Sequence, residues 1–168
     1  DELLLRALLQ RLAARDLGAV VVSRDPAATT ARHGVPALGL ADLPGLVRAL
    51  RRSRGLVLGP GGIIQDETSP FSLPWHLARI PQAELARRPL VGVGLGVGPL
   101  ERRGSRRLTG WALRRAVAVA VRDEPSAALL RQVGVERVEA GSDLVLGFGP
   151  TQVAPQDRVV VCLRPHRP

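Results

Sequence analysis

Three stretches of this chain carry groups that could bind an anion, orient a hydroxyl or move a proton, and each directly follows a short apolar run. Leu56-Val57-Leu58 leads into Gly59-Pro60-Gly61-Gly62 and then Ile63-Ile64-Gln65-Asp66-Glu67-Thr68-Ser69. Glycine lacks a Cβ, so the backbone there can turn sharply and approach a ligand, while Gln65, Asp66 and Ser69 offer hydrogen-bonding groups a few residues later. Val93 is followed by Gly94-Leu95-Gly96-Val97-Gly98-Pro99, and Val121 by Arg122-Asp123-Glu124 at the start of a helical segment. Asp143 comes after a weak strand signal near residue 138, and Arg164 after the last apolar run. A guanidinium at a strand end gives a planar, two-pronged contact suited to carboxylate or phosphate.

Each of these has a structural reading beside the chemical one. Gly61-Gly62 suits a tight turn, and Gly94 to Gly98 lacks the last glycine of the dinucleotide fingerprint. Asp123 and Ser126 serve equally to satisfy the first amides of a helix. Arg122 is harder to read as solvent decoration, because a charge at the end of a covered strand needs a partner; Asp66 and Asp123 are the candidates. His33 stands beside a helix-stopping glycine and reads as a surface or capping residue. His76, after Phe71-Ser72-Leu73-Pro74-Trp75, is either an acid or base at a cleft or a packed helix histidine. Trp75 and Trp111 read first as core or interdomain residues, and Cys162 as a buried small hydrophobe. No nucleophile-histidine-carboxylate triad and no metal-ligand cluster can be assembled from these pieces.

The elements that must position these groups alternate between helix and strand. Leu5, Leu8, Leu9 and Leu12 recur at helical spacing, so residues 2 to 15 read as an amphipathic helix. Further helices are expected over 26 to 32, from Asp42 to Arg54 with Asp42 as N-cap, and near 72 to 87, 101 to 115 and 124 to 132. Strands are expected at 19 to 22, 56 to 58, 90 to 93, 117 to 121, around 138 and at 159 to 163. Near-continuous Val and Leu runs suit strands covered on both faces. The expected fold is α/β, a Rossmann-like, mostly parallel sheet flanked by helices. In such a sheet ligands collect beyond the carboxyl ends of the strands, where all the candidate residues fall.

Composition sets the outer bounds. The chain has 168 residues, 45% hydrophobic and 23% charged, the balance of a protein with one full core. The longest uncharged apolar stretch, Pro89 to Leu100, is shorter than the ~20 residues needed to span a bilayer. A single cysteine excludes an internal disulfide and permits a cytoplasmic setting. The net charge of +9 comes from 24 basic residues, all arginine, spread along the chain without forming one block. With aromatics at 2%, that argues against a nucleic-acid binder, while anionic small ligands fit a positive surface. The sequence opens in a helix and closes just after a strand signal, so the expected organisation is a fragment: 1–146 a first domain lacking its first strand, 147–158 a linker, and 159–168 the start of a second domain.

The three blocks beginning at Gly61, Gly92 and Val121, in that order and spacing, resemble the polysaccharide pyruvyl transferase family. Asp1-Glu2 is similar to the end of that family's N-terminal glycine-rich motif. Asp143 is similar to its acidic residue after the last strand of the first domain, although Leu144 stands where a proline is usual. Val161-Cys162-Leu163-Arg164-Pro165 looks like the start of the second domain, and the match covers nearly the whole chain.

The resemblance implies the N-terminal half of a two-domain, GT-B-like enzyme. Such enzymes move the enolpyruvyl unit of phosphoenolpyruvate onto two hydroxyls of one sugar, in a cell-surface glycan or its lipid-linked precursor, and form a pyruvate ketal as phosphate leaves. Asp66 and Arg164 are then the expected catalytic residues, with His166 a weaker local candidate for an acid. Gly61, Gly62, Gln65, Ser69, Gly96, Gly98, Arg122, Asp123, Glu124 and Asp143 are the expected substrate-binding set. No cofactor or metal is expected, nor any nucleic-acid partner. A cytoplasmic location, at the inner face of the membrane through peripheral association, and a homo-oligomer are both compatible with this reading. The isolated fragment is expected to turn over little. The alternatives are a nucleotide-sugar glycosyltransferase on the same frame and a non-enzymatic basic binding module.

Overall fold

Three helices begin where an aspartate precedes a proline in the first turn. Three aspartates accept an amide from the first turn: Asp25 from Ala28 at 2.9 Å, Asp42 from Gly45 at 2.8 Å and Asp123 from Ser126 at 2.9 Å. Each such cap contributes about 1 kcal/mol, and a proline in the first turn costs no helical hydrogen bond. The computed structural model describes residues 2–67 and 71–149. In chain order its elements are α1 (Glu2–Ala13), β1 (Val21–Ser23), α2 (Pro26–His33), β2 (Ala37–Gly39), α3 (Leu43–Arg52), β3 (Leu56–Leu58) and β4 (Gly61–Ile64). Then come α4 (Ser72–Leu77), α5 (Arg79–Leu85), β5 (Leu90–Val97), α6 (Arg103–Leu113), β6 (Ala118–Val121), α7 (Glu124–Gln132), β7 (Val138–Ala140) and a 3-10 helix, Leu144–Phe148.

The strands form two sheets, and every pairing is parallel. β1 and β2 make a pair, Val21 opposite Ala37. The larger sheet runs β3-β5-β6-β7, with β4 continuing along β5 beyond β3. Leu56 faces Leu90, Gly61 faces Leu95, Val91 faces Ala118 and Val119 faces Val138. This is the mixed α/β architecture the alternation predicts, because a parallel neighbour can be reached only by a crossover long enough to hold a helix.

One face of the larger sheet makes the main core. Leu58, Leu90, Val119 and Val121 pack with Leu73 and Leu77 of α4, Ile80 of α5, Leu113 of α6 and Leu130 of α7. Val93, alternating to the opposite face, packs with Leu144 and with Ala7 and Leu8 of α1. Leu46 and Leu50 of α3 meet Ala83 of α5 and the partly buried Val22 and Leu56.

The structure corrects the sequence reading at β2, at β4, at β5 and over 72 to 87. β2 and β4 fall where turns or loops are expected, since three- and four-residue strands are too short to establish a period. β5 runs on to Val97, not ending at Val93, so Gly94 to Gly98 is mostly strand and not a loop. The expected helix over 72 to 87 is two helices, broken at Ala78. Pro81 explains the break: it has no amide to give the carbonyl of Leu77, and its ring would collide with that carbonyl. Gly147, the expected start of a linker, belongs to the 3-10 helix. Residues 150 to 158 of that linker and the strand expected over 159 to 163 lie outside the described residues. Among those described, no helix is long and apolar enough to cross a membrane.

Candidate site at the carboxyl edge of the sheet

Where β4, β5, β6 and β7 end side by side, the chain links them by main-chain hydrogen bonds. The amide of Gly98 donates to Ile64 O at 2.8 Å and that of Asp66 to Pro99 O at 3.1 Å. Arg122 N donates to Leu95 O at 3.0 Å, and Gly141 N to Val121 O at 2.8 Å. Gln65, Asp66, Gly96, Gly98, Arg122, Asp123 and Asp143 are thereby gathered along one edge. Ser69 and Arg164 lie outside the described residues, as does His166.

Arg122 is held flat against β5. A Cβ built on Gly96 would lie 2.8 Å from both Cζ and Nε of Arg122, so only glycine leaves room for the guanidinium there. Nε donates to Asp123 Oδ2 at 3.1 Å, the partner the sequence offered, whereas Asp66 is engaged elsewhere. Both Nη groups of Arg122 make no hydrogen bond to any described residue. The side chain is part exposed at the strand ends.

Asp66 is only 4% exposed. The amides of Glu101 and Arg102, which lead into α6, donate to its Oδ1 and Oδ2 at 3.0 Å each. Burial pushes its pKa up, but those two amides, the Ser105 hydroxyl and the Arg102 charge outweigh burial and hold the carboxyl below the ordinary Asp range. A carboxylate engaged in this way is a weak base. Through these two contacts Asp66 fixes the turn after β4 to the start of α6.

Asp123 caps α7, and its pKa is lowered mainly by Ser126, through side-chain and main-chain hydrogen bonds, with Arg122 adding to it against burial. Glu124, the first residue of α7, pairs with Arg131 at 2.6 Å along the exposed helix face. Asp143 accepts the amide of Val145 at 3.0 Å and caps the 3-10 helix. Gln65 Oε1 accepts the Glu67 amide at 2.8 Å. Gly61 and Gly62 are in β4 and not in a tight turn; the turn residue is Gly59. At φ +109° a Cβ on Gly59 would collide with the carbonyl oxygen of Val93.

Two further residues shape this edge. Ser126 is buried, and its hydroxyl accepts the Val97 amide at 2.9 Å, tying the end of β5 to α7. The sequence marks Ser126 only as a helix-start residue. His76 is half-buried in α4, edge-on to Trp75, and burial followed by the charges of Arg24 and Arg79 lowers its pKa. His33, expected at the surface, has a buried side chain whose Nε2 meets Glu2 Oε2 at 2.7 Å. Trp75 and Trp111, expected in the core or between domains, are part exposed and so not core residues of the described fold, each under an arginine: Arg79 at 4.6 Å and Arg115 at 4.0 Å. Among the described residues no three His, Cys, Asp or Glu side chains gather as a metal-ligand set.

The arrangement suits a small anion carrying more than one oxygen: paired guanidinium donors on a glycine floor, backed by an acid that holds the guanidinium in plane. No curated protein and no solved structure matches the chain. A protein-family model does: the one described as polysaccharide pyruvyl transferase matches residues 1–165.

Proposed function

Because the chain belongs to the polysaccharide pyruvyl transferase family, we propose that it forms part of an enzyme that transfers the enolpyruvyl unit of phosphoenolpyruvate to a sugar, in a cell-surface glycan or its lipid-linked precursor. The fold would be the first half of a two-domain cleft, with the carboxyl edge of the sheet as one wall. One acceptor hydroxyl adds to C2 of the donor while the methylene carbon takes a proton and becomes a methyl group. The bond between C2 and the phosphate oxygen breaks, and a second hydroxyl of the same sugar closes the ketal. One hydroxyl proton ends on the methyl carbon and the other on the released hydrogen phosphate, so the step needs no oxidant or reductant.

The placement of Arg122 supports this reading. Its two Nη groups fit the donor carboxylate or the departing phosphate, and Asp123 holds the guanidinium in register through Nε. Arg164, beyond the described residues, is assigned the second cationic contact, since a trianionic donor needs more than one. Gln65, Gly98 and the amides around them line the acceptor side. Asp66 maintains the turn that presents Gln65 and takes no proton itself.

Calorimetric titration tests the donor assignment. The 168-residue chain is expected to bind phosphoenolpyruvate more tightly than inorganic phosphate or a nucleoside diphosphate sugar, and Arg122→Ala to weaken binding by tenfold or more. Tighter binding of the nucleotide sugar would replace this reading with a glycosyltransferase on the same frame. In the complete protein, a lipid-linked amino-sugar disaccharide is expected to trigger phosphate release; silence across a broad acceptor panel would overturn the assignment.

A further inference from the structure

Six arginines far apart in the sequence meet at the ends of three helices. In a parallel sheet every helix that returns from a strand end finishes at the opposite, amino edge, and here α3, α5 and α6 each deliver arginines to it. α3 ends in Arg51 and Arg52, α5 is followed by Arg87 and Arg88, and α6 by Arg114 and Arg115. Side chains join these ends into one row. Arg88 donates to Leu50 O at 3.2 Å and Arg51 O at 2.6 Å, fastening the end of α5 to the last turn of α3. Arg115 pairs with Glu84 at 2.8 Å and lies over the Trp111 ring at 4.0 Å, fastening α5 to α6. Beyond Trp111 an open groove continues between Arg107 and Arg114 on one side and Gln132 to Gly134 at the end of α7 on the other. Glu84 at this edge is paired with Arg115, and the capping aspartates stand at the far edge, where the helices begin.

Helix dipoles account for a cation near each helix end. They do not account for what sits between the cations. Leu85 is 86% exposed at the end of α5, and Trp111, against Arg115 near the end of α6, is 41% exposed. An aliphatic side chain presented to water offers nothing to a nucleic-acid backbone or to a soluble phosphate, but it does enter the acyl boundary of a bilayer, and tryptophan favours that boundary.

We propose that the amino edge of the sheet, formed by the ends of α3, α5 and α6, docks on a bilayer of anionic phospholipid, with the arginines on the headgroups and Leu85 and Trp111 inserted between them. Reversible membrane binding needs two signals, charge and buried apolar surface, and this edge carries both. The inference does not depend on which reaction the opposite edge performs.

The test uses the 168-residue chain carrying Trp75→Phe, so that Trp111 is the only tryptophan, with its circular dichroism checked against the parent. It is expected to sediment with phosphatidylglycerol–phosphatidylcholine vesicles and not with pure phosphatidylcholine, and its fluorescence to shift to shorter wavelength on binding. Affinity should fall at least tenfold between low salt and 0.3 M salt. Leu85→Ser, at a position with no packing to lose, should weaken binding threefold or more at constant salt, and Arg107→Glu with Arg114→Glu should abolish it. Absence of sedimentation, an unshifted spectrum, or an unaffected Leu85→Ser variant would each overturn the proposal. Tighter binding to single-stranded RNA than to the vesicles would do so too, and would make the edge a polyanion site. Since no donor or acceptor is present, a failure here leaves the transferase reading where it stands.

Discussion

Gly96→Ala separates the fold from the site. The new Cβ would meet Cζ and Nε of Arg122 at 2.8 Å, and ordinary contact begins near 3.5 Å, so the guanidinium must withdraw by roughly 0.7 Å or more. The obstructed group is the far end of a flexible side chain, and Gly96 itself has an ordinary backbone conformation, so β5 can accept the methyl group. The hydrogen bond from Nε to Asp123, already 3.1 Å, is then lost. That pair is about two-fifths exposed on both sides, which limits its stabilising effect to about 0–1 kcal/mol, and the loss is offset by about 0.4–1 kcal/mol from removing a glycine's freedom in the unfolded chain. Thermal denaturation followed by circular dichroism should therefore find a melting temperature within about 4 °C of the parent. Affinity for phosphoenolpyruvate should respond far more. Losing one well-aligned, charge-assisted hydrogen bond costs about 1.5–3 kcal/mol, or roughly ten- to hundredfold in Kd. The discriminating measurement is the double variant: on an Arg122→Ala background, Gly96→Ala should add almost nothing. An equal loss on both backgrounds, or full affinity in the single variant, would refute the idea that Gly96 acts through Arg122.

Gly59→Ala should behave in the opposite way, lowering stability by about 2 kcal/mol or more, because the positive φ and the Val93 carbonyl cannot both be accommodated; urea denaturation would show it as a fall in midpoint. Asp66→Asn should cost about 1–3 kcal/mol, since an amide nitrogen cannot accept from either buried main-chain donor. The sign of its pH dependence follows from a folded pKa held below the ordinary value near 3.9: the contribution is complete above that value and is lost as pH falls through the folded pKa. Acid denaturation should accordingly be shallower in Asp66→Asn than in the parent below about pH 4. Ser126→Ala leaves the Val97 amide without its buried acceptor and should destabilise by about 1–3 kcal/mol, with hydrogen exchange at that amide accelerating. A protected Val97 amide in that variant would show that the hydroxyl is not its partner.

Much of this was legible in the residues themselves. Val and Leu runs alternating with amphipathic stripes can be satisfied only by strands buried on both faces beneath helices, so the α/β class and the parallel pairing follow from pattern alone. Aspartate before proline marks helix starts for a local reason, an amide within three residues, and Asp25, Asp42 and Asp123 all sit where that reason puts them. The short strands were harder. Gly94 to Gly98 reads as a loop by composition, yet Val91, Val93, Leu95 and Val97 alternate strictly with glycine, which is a strand period that the glycines obscure.

The fold sets which polar groups find a partner among the described residues. Asp66 and Arg122 look alike in sequence, each a charged residue following an apolar run, but the start of α6 arrives from 35 residues away and occupies the carboxylate of Asp66, while no described residue accepts from the Nη groups of Arg122. The same holds for the arginines. Their spread along the chain argued against a nucleic-acid binder, and the crossover rule of a parallel sheet collected those of three helices at one edge together with Leu85 and Trp111. Local pattern is set by neighbours within a helical turn, and a single sequence carries it; satisfaction of a polar group depends on partners brought by the chain's return path, which no window of residues contains.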